Sequence, residues 1–266
     1  EQMAGAIREF GFRIPIIAKS TGEICDGHLR YKAALHLGLE QVPVILADDL
    51  TGALDTAAVF AGPVPVYIDH PPADQEDAAV PVAALATGTR DIAPESLPER
   101  LQPALDWLRA GTVAYKKVDS LLRGNTFAET AWIAQHGSFN LTVFAPAFPA
   151  QGRITTEDRQ WILQRDGTRE GVATPLIEAF SALNRRACSS FANDGVCDTW
   201  IPEILTDADL DRIVATVEHS AAASPLWCGS AGLAHALARR WHLAPDLGSA
   251  ALLPIGEGPT VLISAS

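Results

Sequence analysis

Short apolar runs alternate with stretches of helical periodicity along most of the chain. The runs at 42–47, 64–68, 80–85, 112–118, 141–144 and 226–228 read as strands. Helical patterns lie between them, at 52–61, 97–110, about 126–135, about 174–183 and 231–240. In the second of these, Leu101, Leu105 and Leu108 fall at i, i+4 and i+7. A further helix is expected after a Thr206 cap, with Leu210, Ile213, Val214 and Val217 as its core face. Such alternation predicts an α/β fold, a mostly parallel sheet flanked by helices on both faces.

The two ends of this region break the pattern. Ahead of it lie a helical stretch at 3–11, a short strand at 14–18, a turn over 22–27 and a helix at about 28–37 ended by Gly38. They predict a small, partial α+β segment at the N-terminus. Residues 151–200 are less regular, with a hairpin expected near 161–164. The chain opens at Glu1, its first Met is Met3, and it closes on a β-branched apolar run at 261–263. Both ends read as truncations.

Charge sharpens the division. Residues 1–47 carry five acidic and five basic side chains, so the whole net charge of −12 belongs to the remainder. That balance argues against a general nucleic-acid binder. No stretch suits a membrane span: the uncharged run 220–238 is interrupted by Pro225, Gly229 and Gly232. Arg8, Glu9 and Arg13 break the first apolar stretch, so no signal peptide is expected. Cys25, Cys188, Cys197 and Cys228 form no C-x-x-C pair and suggest neither a disulfide framework nor a zinc knuckle, which makes the cytoplasm the default compartment. The histidines are scattered, and no metal site is expected.

Candidate chemistry gathers where apolar strands end, the edge at which open parallel sheets bind ligands. Asp48 and Asp49, with Thr51 and Gly52, follow the first strand of the alternating region. Adjacent carboxylates there can hold Mg²⁺ or accept a hydroxyl proton, and either Asp49 or Thr51 can equally be a helix cap. Lys117, Asp119, Ser120 and Arg123, with Gly124 beside them, follow the strand at 112–118. Arg123 can clamp a carboxylate bidentately while Lys117 adds a point charge; the plain alternative is a surface salt-bridge cluster. Gln151, Gly152 and Arg153 end a Pro-rich loop. Gly229, Ser230 and Gly232 open a helix, suited either to anion binding or to tight helix–sheet packing. Thr87, Thr89 and Arg90 form a weaker fifth cluster.

In this order the clusters resemble the N-terminal, substrate-binding domain of the four-carbon acid sugar kinases. The carriers are V-I-L-A-D-D-L-T-G-A-L-D at 44–55, K-K-V-D-S-L-L-R-G-N at 116–125, P-A-F-P-A-Q-G-R at 146–153 and L-W-C-G-S-A-G-L-A at 226–234. The resemblance covers about 44–258. It implies phosphorylation of the terminal hydroxyl of erythronate, threonate or their oxo forms, with ATP and Mg²⁺ supplied by a second domain. It places Lys117, Asp119, Ser120, Arg123 and Arg153 in the substrate pocket with Asp48 and Asp49 nearby, Asp49 or Asp119 being the catalytic carboxylate; Thr51, Gly52, Thr89 and Arg90 are expected beside the acid sugar from their strand-end positions. Gly229, Ser230 and Gly232 would lie towards the nucleotide. Leu121 stands where the family commonly has threonine. Residues 259–266 resemble the first strand of the nucleotide domain, so this chain alone is expected to bind acid sugar and transfer phosphate poorly.

Residues 1–46 resemble a different family, the ParB-like fold of partition proteins and nuclease-like modules. The carriers are I-R-E-F-G-F-R-I-P-I at 7–16, G-E-I-C-D-G-H-L-R-Y-K-A-A at 22–34 and L-G-L-E-Q-V-P-V-I at 37–45. Gly27, His28 and Arg30 would form that family's phosphate-proximal turn. The two patterns share the strand at 44–47 without a linker, as expected of a chimera joined there rather than of a real fusion that uses one strand twice, the remaining alternative; either way 1–43 is a partial ParB-like segment. The functional expectations are therefore the substrate half of an acid sugar kinase, a ParB-like nucleotide or DNA adaptor, or a non-catalytic acid-sugar sensor. The expected partner is a small acid sugar rather than nucleic acid or membrane, and a homo-oligomer is compatible with every reading.

Overall fold

A computed structural model describes residues 17–18, 24–26, 43–62, 64–71, 82–172, 174–191, 196–220 and 224–245. The helices expected at 3–11 and 28–37, the turn of Gly27, His28 and Arg30, and the strand within 259–266 lie outside the described residues.

The chain runs β1 (Ile17–Ala18), β2 (Ile24–Asp26), β3 (Pro43–Ala47), α1 (Leu50–Ala57), β4 (Val66–Ile68), β5 (Ala83–Ala86), α2 (Leu97–Ala110), β6 (Val113–Lys117) and α3 (Thr126–His136). It continues through β7 (Leu141–Ala145), β8 (Arg153–Thr156), β9 (Arg159–Leu163), β10 (Arg169–Gly171), α4 (Leu176–Ser181), β11 (Ala187–Cys188), β12 (Thr199–Trp200), α5 (Asp207–Glu218), β13 (Pro225–Gly229) and α6 (Ala231–Arg240). Eight strands form one sheet in the order β11-β12-β7-β13-β6-β3-β5-β4, and every neighbouring pair is parallel. This is the α/β architecture that the alternation predicts.

Period-2 alternation divides the sheet's side chains between two cores. Ile45, Tyr115, Val143 and Trp227 face α5 and α6, where Leu210, Val214, Leu233 and Leu237 pack. Val44, Leu46, Ala114, Phe144 and Leu226 face the other way, against Leu101, Leu105 and Leu108 of α2, Ile133 of α3 and Phe180 of α4. Thr206 caps α5 in a full capping box with Asp209, satisfying donors that the first helical turn would leave bare.

Three expectations need correction. The turn placed over 22–27 contains β2, paired antiparallel with β1; isoleucine and cysteine at 24–25 favour extended backbone over a turn. The hairpin near 161–164 is a three-stranded antiparallel meander, β8-β9-β10, whose first turn carries Glu157 and Asp158, both with positive φ. Cys188 and Cys197 form a disulfide, which spacing did not reveal because adjacent strand ends bring them together. The case for a reducing compartment from cysteine spacing therefore falls.

Along the sheet, β3 connects to β4 and β5 on one side, and the chain then crosses to β6 on the other. The carboxyl ends of β3 and β6 thus flank a topological switch point, the place where open α/β sheets bind their ligands.

Candidate functional site

Asp48 and Asp49 leave β3 at this switch point. Asp49 caps α1, its Oδ1 accepting from Gly52 N at 2.9 Å. Parallel pairing with β5 places Thr87, Thr89 and Arg90 alongside. Arg90 donates to Asp48 from Nε at 2.9 Å and from Nη2 at 3.2 Å, and to Asp49 from Nη1 at 2.8 Å. Asp48 is only 1% exposed. Burial alone would raise its carboxyl, but the Lys116 ammonium, the Arg90 bonds and Lys117 outweigh burial and hold it below the ordinary value.

The loop after β6 brings the second group. Asp119 accepts from the Arg123 backbone N–H at 3.2 Å and from its guanidinium Nη2 at 3.2 Å and Nε at 2.5 Å. Burial pushes Asp119 up, but these bonds carry it below the usual carboxylate value. Arg123 itself is well exposed. Gly124 has φ +67°, and a Cβ there would come within 2.6 Å of the Arg90 carbonyl oxygen. Asn125 fixes the loop's far end by donating to the carbonyls of Thr89 at 2.9 Å and Ile92 at 2.8 Å.

Lys117 stands between the two groups. It is only 7% exposed, and a Cβ on Gly52 would lie 2.9 Å from its Nζ. Arg90 is committed to Asp48 and Asp49, and Arg123 to Asp119. Among the described residues, no ion pair or hydrogen bond engages the Lys117 ammonium. Burial pulls it below the ordinary lysine value, against the opposing charges of Asp48, Asp119 and Asp49. The result is a buried cation at a helix N-terminus, flanked by carboxylates and an exposed arginine. It can receive a small anion bearing hydroxyl groups.

The structure thus brings together Asp48, Asp49, Gly52, Thr89, Arg90, Lys117, Asp119 and Arg123. Thr51 lies in the first turn of α1, and Ser120 in the same loop as Asp119. The Thr89 hydroxyl is spent on Thr87 at 2.7 Å. Arg153 opens β8 and pairs with the Gln151 side chain; no contact joins it to the cluster among the described residues. Ser230 caps α6, its Oγ accepting from Gly232 N at 3.1 Å and donating to the Ala147 carbonyl at 2.7 Å. Gly229 and Gly232 admit close backbone packing, since a Cβ would lie 2.8 Å from the carbonyl oxygens of Ala145 and Ala147 respectively.

Two supporting residues escaped the sequence reading. Gln160, fully buried on β9, accepts from the Thr155 hydroxyl at 2.7 Å and donates to the Ser120 carbonyl at 3.0 Å. Glu129 on α3 meets Lys116 at 2.8 Å, with both side chains buried. Neither has a local signal beyond a polar side chain in an otherwise apolar pattern.

The profile described as the sugar-binding N-terminal domain matches residues 43–179. A D-threonate kinase of Cupriavidus necator is 34% identical over 258 residues, covering 82% of this chain and 59% of that protein. A 3-oxo-tetronate kinase of Escherichia coli is 25% identical, covering 74% of this chain and 59% of that protein. This chain therefore spans somewhat over half the length of these relatives. A solved structure from Bordetella bronchiseptica, described as a domain of unknown function (DUF1537) with bound citrate and as a domain-swapped dimer, superposes with a TM-score of 0.60 at 26% identity. That superposition covers 74% of this chain and 55% of the other. A ParB-like nuclease domain-containing protein of Escherichia coli is 40% identical over 50 residues, 19% of this chain and 58% of that protein.

Proposed function

This chain belongs to the sugar-binding N-terminal domain family, and from that premise we propose that it forms the acid-sugar-binding half of an ATP-dependent kinase acting on the terminal hydroxyl of a four-carbon acid sugar. Threonate, erythronate and the oxo-tetronates are the substrate class. The observation that carries the reading is the buried Lys117 ammonium beside the N-terminus of α1, which no ion pair or hydrogen bond engages among the described residues.

Lys117 and Arg123 receive the substrate carboxylate, Lys117 as a point charge and Arg123 as a fork. Binding there draws Arg123 from Asp119 and frees that carboxylate. Arg90 braces Asp48 and Asp49 so that their charges face the acceptor in fixed positions. Asp49 and Asp119 are the carboxylates placed to orient the hydroxyl and accept its proton as the phosphoryl group transfers. The described residues do not fit a Mg²⁺–ATP site of their own: Asp48 and Asp49 are committed to Arg90, and no cluster of three His, Cys, Asp or Glu side chains gathers among them. The role of these residues is confined to the acceptor; ATP and Mg²⁺ belong to the proposed whole kinase.

Titration calorimetry with D-threonate, D-erythronate and a 3-oxo-tetronate tests the reading. Binding of at least one is expected, with loss of that binding in Arg123→Ala. Unchanged affinity in Arg123→Ala removes Arg123 from the pocket, and no binding of any of the three sinks the proposal. The E. coli match over 50 residues supports a second reading for the N-terminal stretch, a ParB-like nucleotide or DNA adaptor. Salt-dependent DNA binding by the full chain would favour it. No helix among the described residues is long and apolar enough to cross a membrane. A homo-oligomer is part of the proposal, supported by the domain-swapped dimer described for the Bordetella structure.

A further inference from the structure

We infer that the buried ion pair of Lys116 and Glu129 is a positioning device for the acid-sugar pocket, stapling together the two stems of the loop that carries Asp119, Ser120 and Arg123. The inference rests on the acid-sugar reading for its ligand, but not for its geometry.

The last two residues of β6 point to opposite faces of the sheet. Lys117 turns towards α1 and the pocket, and Lys116 towards α3. Lys116 is 1% exposed and Glu129 fully buried, and their Nζ and Oε2 lie 2.8 Å apart. Lys116 Nζ also donates to the Lys117 carbonyl at 2.8 Å, so the pair grips the peptide that carries the pocket lysine. Residues 118–125 leave β6 after Lys117, the neighbour of Lys116, and lead into α3 at Thr126, with Glu129 in the first turn of that helix. The ion pair therefore bridges the base of the loop.

Stability alone does not account for it. Two charges removed from water gain little net energy from each other, and well-packed apolar residues serve as well or better. The neighbours of Lys116 in strand register are Leu46 and Cys228, which an apolar side chain would join without conflict. Neither carboxylate oxygen of Glu129 has a hydrogen-bond partner among the described residues, so the ion pair with Lys116 is what holds the carboxylate there. What the pair does supply is direction. The charged groups facing Lys116 are Glu129 from α3 and Asp48 from beyond β3. Those facing Asp48 are Lys116 and Lys117 from β6 and Arg90 from beyond β5. The Cys228 thiol, pushed up to about 12 by burial, stays neutral and leaves the pair charged. Lys116 thus fixes the loop from below while its charge keeps Asp48 ionised and Arg90 held.

The test compares the full chain with the double variant Lys116→Met/Glu129→Met. Thermal melting, amide hydrogen exchange over 118–125, and D-threonate affinity at about pH 8 and about pH 5 are measured. The double variant is expected to melt near the parent temperature, since no buried charge is left alone. Its loop amides should exchange about tenfold faster and its threonate affinity fall about tenfold, the scale of one charge-assisted hydrogen bond. On acidification its affinity should begin to fall at higher pH than the parent's, because Lys116, the largest of the charges that lower Asp48, is gone. A purely structural pair would change melting without this pH dependence. Loop exchange and affinity equal to the parent's overturn the inference. If the double variant does not fold, Glu129→Gln, which keeps shape and an acceptor but removes the charge, carries the same exchange comparison with the same two outcomes. If the parent binds no threonate, the ligand reading fails while loop exchange still decides the role of the pair.

Discussion

Burial works against the charge on Lys117, while Asp48, Asp119 and Asp49 support it, and the ammonium ends below the ordinary lysine value. A cation in that state gains most when an anion arrives. The sign of the pH dependence follows. Acid-sugar affinity should weaken as pH rises through the lowered Lys117 value, before an ordinary lysine at about 10.4 would lose its proton. Lys117→Met should flatten that dependence and cut affinity about tenfold or more. Calorimetry across the alkaline range reads both effects; a Lys117→Met curve parallel to the parent's would remove the ammonium from the site. The carboxylates behave in the opposite sense. Asp48 and Asp119 are held below their ordinary value, so their contribution to stability is present above about pH 3.9 and lost as pH falls through their folded-state values.

Among the elements, β11 and β12 form the weakest part of the sheet, two residues each at one edge. The Cys188–Cys197 bond crosses their connection. Opening a closed loop of that length should cost about 2–3 kcal/mol on chain-entropy grounds. Urea unfolding of Cys188→Ser/Cys197→Ser should show that loss while threonate affinity persists, because the site sits at the ends of other strands. A midpoint unchanged by the substitutions would mean the bond holds nothing that packing does not. The period of Leu101, Leu105 and Leu108 placed α2, and Thr206 placed the start of α5, because both signals are local. The meander was less legible: its first turn uses Glu157 and Asp158 with positive φ rather than Asn-Gly or glycine. At the site, changes from apolar to polar residues at strand ends marked Asp48, Lys117 and Arg90. The bonds from Arg90 to both aspartates were not readable, since they depend on β5 lying beside β3. Lys116 was least legible of all, as a Lys-Lys pair looks like surface until the opposing Glu129 is known.

For the whole molecule, sheet order decides where chemistry can occur. The reversal between β5 and β6 around β3 creates the switch point, and three separate loops reach it from strands that are distant in sequence. The same order constrains how the protein is made. β13 lies between β6 and β7, although residues 225–229 leave the ribosome long after both neighbours have emerged. Until then the nascent chain holds two apolar strand edges apart, each ready to pair with a wrong partner. Chains ending at residue 220 should accordingly pellet on synthesis and depend on chaperones, while those carrying the last strand and α6 stay in the supernatant. A soluble, folded chain ending at 220 would show that β6 and β7 can close on each other. Otherwise the gap left for β13 acts as a checkpoint late in translation, and the candidate site beside it cannot form before that point is passed.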